Sequence, residues 1–105
     1  MGTRTTLERW GVGNRAYSFD AFRGGILAGS LSRVQAPDIP CEMVFITSGE
    51  DNSETIWIGG NDVSAVNGFP LPKGEATGWI PVQNVNLIHY VCEDADDVLY
   101  YMIVG

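Results

Sequence analysis

His89 is the only histidine in the chain. A metal site borne on strands needs several histidines, and a hydrolytic triad needs a histidine beside a nucleophile. His89 instead lies in an alternating run, with Leu87, His89 and Val91 on one side and Ile88, Tyr90 and Cys92 on the other. It reads as a structural histidine at a sheet surface. Glu93, Asp94, Asp96 and Asp97 offer oxygen ligands for a hard cation, but they lack the loop spacing and the glycine of a calcium loop. They read as a solvated turn that blunts a sheet edge. Gly59-Gly60-Asn61-Asp62 fits neither GxGxxG nor GxxxxGK, so it reads as a turn rather than a phosphate cradle. No catalytic, cofactor-binding or metal-ligating residue is assigned, and the expectation is a protein that is not an enzyme.

The aromatic residues allow two readings. Trp57 and Trp79, with Tyr90, Tyr100 and Tyr101, have the composition of a sugar-stacking platform. In a small sandwich such side chains fill the core, and that reading is preferred. Near the front of the chain, Trp10, Tyr17, Phe19 and Phe22 are interleaved with Arg4, Arg9, Arg15 and Arg23. Six glycines in the first 30 residues disfavour a helix there. The stretch is also too aromatic for an ordinary linker. It is expected to be an extended arm, residues 1–30, whose eight arginine and aromatic residues just named bind a partner. A loose terminus is the plainer alternative. Stacking on single-stranded nucleic acid is weighed and set aside, because the arginines are spread out and the body is acidic.

The elements that must hold these residues are strands. Thr55-Ile56-Trp57-Ile58 is β-branched and aromatic, and Gly59-Gly60, Asn67-Gly68 and Lys73-Gly74 cut the chain into short runs. Leu31–Ala36 reads as the first body strand. Pro37 and Pro40 then exclude helix. Cys41–Thr47 follows as a strand with Glu42, Val44 and Ile46 on one face, and residues 54–58 are expected to return as its hairpin partner. Asp62–Ala65 reads as a short strand or bulge, and 67–75 as an irregular connection whose Phe69 and Leu71 plug the end of the sandwich. Thr77–Val82 reads as an edge strand because of Pro81, and Asn84–Cys92 as the next strand. Val98–Val104, nearly continuous in apolar residues, reads as a central strand buried on both faces. About seven or eight short strands without helical period indicate an all-β, antiparallel two-sheet β-sandwich, jelly-roll-like, over residues 31–105.

At 105 residues with 45% hydrophobic composition the chain is expected to be one domain with a real core. The formal net charge of −7 is unevenly placed. Residues 1–33 carry five arginines against Glu8 and Asp20, whereas residues 34–105 carry Lys73 alone against eleven acids. The acidic body is expected to repel nucleic acid. No apolar run is long enough to span a bilayer, and residues 1–13 lack the apolar core of a signal peptide. Cys41 and Cys92 do not form a disulfide framework; whether they are bonded is left open.

Val34–Cys41 (VQAPDIPC), Ile56–Val63 (IWIGGNDV), Asn67–Leu71 (NGFPL) and Gly74-Glu75 together resemble a loose group of small virion proteins of tailed bacteriophages. In that group a strand ending in an IGG-like turn leads to an NG-x-PL connection, a GE turn and two closing strands. The resemblance covers roughly residues 33–104, and the arm lies outside it. It implies a structural role: a capsid decoration (cement) protein, bound to the major capsid protein or another virion protein, or else a fibre or tail component. A homo-oligomer and assembly in the host cytoplasm into the virion are what it implies further, while the acidic body and the lack of a spanning run give the expectation of no nucleic-acid or membrane partner. A carbohydrate-binding module is the alternative reading of the residues.

Overall fold

The computed structural model of the chain describes residues 22–105. Eight strands form: β1 (Phe22–Ala28), β2 (Val34–Gln35), β3 (Met43–Ser48), β4 (Ile56–Gly59), β5 (Phe69–Leu71), β6 (Ala76–Ile80), β7 (His89–Cys92) and β8 (Val98–Val104). They make two four-stranded sheets, with orders β1-β8-β3-β6 and β2-β7-β4-β5. Every pairing between strands is antiparallel. The expected all-β, jelly-roll-like sandwich is therefore the fold.

The core follows from two-residue alternation. In the first sheet Val44, Ile46 and Ser48 of β3 point inward with Leu99 and Ile103 of β8 and Leu27 of β1, all buried. In the second, Ile56 and Ile58 of β4 meet Tyr90 and Cys92 of β7 and Leu71 of β5. Burying a side chain of this size stabilises the fold by about 1.5–3 kcal/mol relative to its exposed state. Tyr90 also ties the sheets together, since its hydroxyl donates to the Ala28 carbonyl at 2.7 Å. Its phenol is raised above the ordinary value, by burial first and then by the nearby Cys92.

Several expectations change. Phe22–Ala28, placed in the arm, is a seven-residue strand paired along its whole length with β8. The sandwich therefore includes Phe22–Ala28 and does not begin at residue 31. Arg4, Arg9, Trp10, Arg15, Tyr17 and Phe19 lie outside the described residues. The strand expected over 31–36 shrinks to Val34–Gln35. Asp62–Ala65 is turn and irregular chain, and a strand (β5) forms inside the 67–75 connection. Val85–Leu87 makes a 3-10 turn before β7, capped by the Asn84 side chain, which accepts from the Asn86 N–H.

The largest change concerns β3 and β4. They are not a hairpin, because β3 pairs with β6 and β8 while β4 pairs with β5 and β7 in the other sheet. The connection between them crosses from sheet to sheet, and buried polar side chains fix that crossing. Asn52 Nδ2 donates to Ser48 Oγ and to the Val98 carbonyl, both at 2.8 Å. Asp97, 3% exposed, accepts from the Ser53 N–H at 2.8 Å and the Glu54 N–H at 2.9 Å. The acidic turn read as solvated thus contributes a buried anchor.

Candidate functional site

The inward side of β3 and β8 fills the core, so the alternate residues must look outward. Across the first sheet those residues form three rows. One is Phe22, Val104 and Met43; the next is Gly24, Met102, Phe45 and Trp79; the third is Ile26, Tyr100, Thr47 and Ala76. A solvated sheet face ordinarily alternates to polar residues. This one does not: Ile26 is 64% exposed, Tyr100 45% and Met102 44%. An apolar patch on one face is the mark of an interaction surface.

Trp79 organises the face. A bulge between Phe45 and Thr47 of β3 shifts the register with β6. Gly78 adopts φ +78 there, a conformation glycine takes without steric cost. Thr77 replaces the lost ladder contact by accepting from the Ile46 N–H at 3.1 Å and donating to the Gly78 carbonyl at 2.6 Å. Past the bulge, the Trp79 ring meets Phe45 edge-on at 5.5 Å between centroids and Phe22 at 6.0 Å. Val104, on the same face, is 0% exposed. Next to this cluster is a depression of about 330 Å³ between Trp79, Phe45, Thr47, Tyr100 and Met102. Beside Tyr100 the surface turns acidic, where Glu50, Asp51 and Asp96 border a second depression.

The expected site residues are only partly placed. Phe22 belongs to this face, and Arg23 is exposed on β1. The aromatics expected in the core divide. Tyr90 is in the core and Tyr101 is packed against it. Trp79 and Tyr100 face outward on the first sheet, whereas Trp57 stands on the outer side of the second sheet, its indole N–H donating to Glu93 at 3.3 Å. Trp57 and Trp79 therefore share no platform. β8, expected to be buried on both faces, is buried on its inner side, while on its outer side Val104 is buried and Tyr100 and Met102 stay exposed. The apolar Tyr100 and Met102 on the outer side of a central strand are the sequence signal for this exposed face.

The remaining chemistry-bearing groups lie away from this face. His89 Nδ1 is buried without a hydrogen-bond partner among the described residues. No group of three or more His, Cys, Asp or Glu among the described residues is arranged to hold a metal ion. Cys41 and Cys92 are free and buried, which answers the question left open by spacing. Burial pushes both thiols up, away from nucleophilic thiolate. An apolar slot also opens between Ile58 and Phe69 of the second sheet and Thr77 and Ile80 of the first. Comparison with family models, with curated proteins and with solved structures finds no match to this chain.

Proposed function

We propose that the protein is a non-enzymatic structural protein that works by adhesion, and that the outer face of its first sheet is the adhesive surface. The observation that carries this reading is the outward exposure of Ile26, Tyr100 and Met102 beside the Phe22–Trp79–Phe45 cluster. Such surfaces bind protein by placing aromatic anchors in a desolvated centre. The depression beside Trp79 is lined by Phe45, Trp79 and Met102 with Thr47, Tyr100 and Tyr101, and it carries no carboxylate, amide or cationic side chain. A sugar would find few polar partners there, which favours a protein partner over the carbohydrate-binding alternative.

The specific form we propose is a capsid decoration (cement) protein of a tailed phage, bound to the major capsid protein or another virion protein. Its support is the likeness of the turn motifs. Those turns lie at Gly59–Asp62, before β5, and at Gly74-Glu75 before β6. The jelly-roll topology is compatible but neutral, since capsid, lectin and cupin domains all use it. The test is quantitative mass spectrometry of particles purified from cells expressing the full chain. Copies in fixed proportion to the major capsid protein are expected, with occupancy reduced in Met102→Lys. Absence from purified particles would overturn the virion role, and binding to a glycan array abolished by Trp79→Ala would replace it with the carbohydrate reading.

A further inference from the structure

Phe69 and Leu71 lie on the same, inward side of β5, opposite Ile58 and Ile56. Leu71 is buried, yet Phe69 is 58% exposed. β5 and β6 are edge strands of opposite sheets, and an apolar slot of about 390 Å³ lies between Ile58, Gly59, Phe69, Thr77, Ile80 and Ile88. Along β6 only the first and last of four successive residues line it. Between Thr77 and Ile80 come Gly78, which has no side chain, and Trp79, which belongs to the outer face. A β-carbon built at Gly78 would meet nothing within 4 Å. The other side of the sandwich, where β1 and β2 are the edges, is closed: Leu27 is buried and the Tyr90 hydroxyl bonds the Ala28 carbonyl. Protein interiors ordinarily pack without voids of this size.

We propose that the slot between the β5 and β6 edges is a binding site for a small uncharged apolar molecule, of the size of a one- or two-ring aromatic hydrocarbon. The site is separate from the adhesive face of the first sheet. Its chemistry selects the class. The lining carries no charged, amide or imidazole side chain. Its one hydroxyl is engaged twice, since Thr77 Oγ1 accepts from the Ile46 N–H at 3.1 Å and donates to the Gly78 carbonyl at 2.6 Å. A polar or charged ligand would lose its water there and gain no side-chain partner. Size agrees: a dry apolar cavity of roughly 150 Å³ already holds benzene, and ligand sites begin at about 300 Å³. The Phe69 ring at the slot adds an aromatic surface for edge or offset contact with a ring. The edges themselves disfavour a protein segment as occupant. An added strand needs an unbroken ladder for its amides. On β5 the middle residue is Pro70, which has no N–H, and β6 is interrupted by its bulge at one end and stopped by Pro81 at the other. A small apolar molecule brings no such groups to satisfy.

The experiment titrates full-length protein, labelled at its isoleucine methyl groups, with toluene and separately with benzoate, and follows the methyl signals by NMR. Benzoate keeps the ring and puts a charge in place of the methyl group. Toluene is expected to give saturable shifts at Ile58, Ile80 and Ile88, with Ile26 on the outer face of the first sheet unmoved. Benzoate is expected to bind at least about tenfold more weakly. Phe69→Lys sets a charge at the slot from a largely exposed position and is expected to weaken toluene binding at least about tenfold. Ile80→Phe fills the slot with a ring of its own and is expected to do the same; it serves as the second variant should circular dichroism show the first unfolded. Absence of saturable shifts at the three slot methyls, shifts at Ile26 in their place, or benzoate bound as tightly as toluene would overturn the proposal. So would folded variants that bind toluene as the natural chain does. Slot methyls that move with protein concentration alone and not with toluene would give the slot to a second copy and likewise overturn it.

Discussion

Phe22 and Trp79 stand on the two opposite edge strands of the first sheet, yet their ring centroids are 6.0 Å apart. Four strands spaced about 4.8 Å apart put the two edge backbones roughly 14 Å from each other. The rings therefore lean toward one another over β8 and β3, and the outer face carries its own small cluster above Val104.

The bulge that aims Trp79 is open to a direct test. At Gly78 an added β-carbon would meet nothing within 4 Å, so the demand for glycine comes from φ +78 and not from space. Gly78→Ala is expected to cost about 1 kcal/mol from backbone strain alone. Trp79→Ala removes a half-buried aromatic and is expected to cost about 1–3 kcal/mol, below the range for a fully buried ring. Urea unfolding measures both. A larger loss for Gly78→Ala than for Trp79→Ala would contradict this account of the face.

Asn52 imitates a backbone strand at the sheet crossing. Its Nδ2 donates to the Val98 carbonyl at 2.8 Å while its Oδ1 accepts from the Val98 N–H at 2.9 Å. Asn52→Ala leaves Ser48 and both Val98 groups without these partners and is expected to cost about 2–4 kcal/mol. Asn52→Asp keeps the acceptor but turns a carboxylate oxygen toward the Val98 carbonyl. It is expected to be destabilising at neutral pH and to recover stability as pH falls through the substituted carboxyl. Chemical denaturation at two pH values distinguishes the pair, and equal losses at both pH values would count against the geometry.

Ser53 lowers the pKa of Asp94. Its hydroxyl donates to Asp94 Oδ2 at 2.6 Å and is the leading cause of a carboxyl held below its usual range, followed by the Asp96 N–H. A depressed carboxyl stabilises the fold above the ordinary carboxylate range, and that contribution is lost as pH falls through the depressed value. Ser53→Ala is expected to move the Asp94 midpoint up toward the ordinary value and to shrink the acid-induced loss of stability. Carboxyl-resolved NMR titration reads the midpoint directly, and an unchanged midpoint would remove Ser53 from the account.

The two thiols are expected to be silent in the folded protein. Cys41 donates to the Val82 carbonyl at 3.2 Å, and burial raises its pKa. At Cys92 burial is again the largest cause. The Ser30 backbone contact opposes it, and the charges of Asp97 and Asp94 add to it. A thiol reagent at about pH 8, near the ordinary cysteine value, should react slowly with native protein and fully with both cysteines in denaturant. Rapid reaction of either thiol in native protein would contradict its burial.

Local sequence determined the composition of the elements. Two-residue alternation in Met43–Ser48, the proline after Ile80 and the glycine turn at Gly74, where φ is +75, made an antiparallel sandwich readable, with β6 at an edge. They did so because side-chain direction and positive φ are properties of neighbouring residues. Only the tertiary structure decided which strands pair. The assignment of β3 and β4 to different sheets rests on Asn52 and Asp97 reaching partners more than 40 residues away, contacts that no local pattern encodes. The outer face was undecided for the same reason. Tyr100 and Met102 are as apolar as Leu99 and Ile103, and alternation cannot say which side of β8 meets the second sheet. Packing one side against that sheet fixed the core and left the other as a surface.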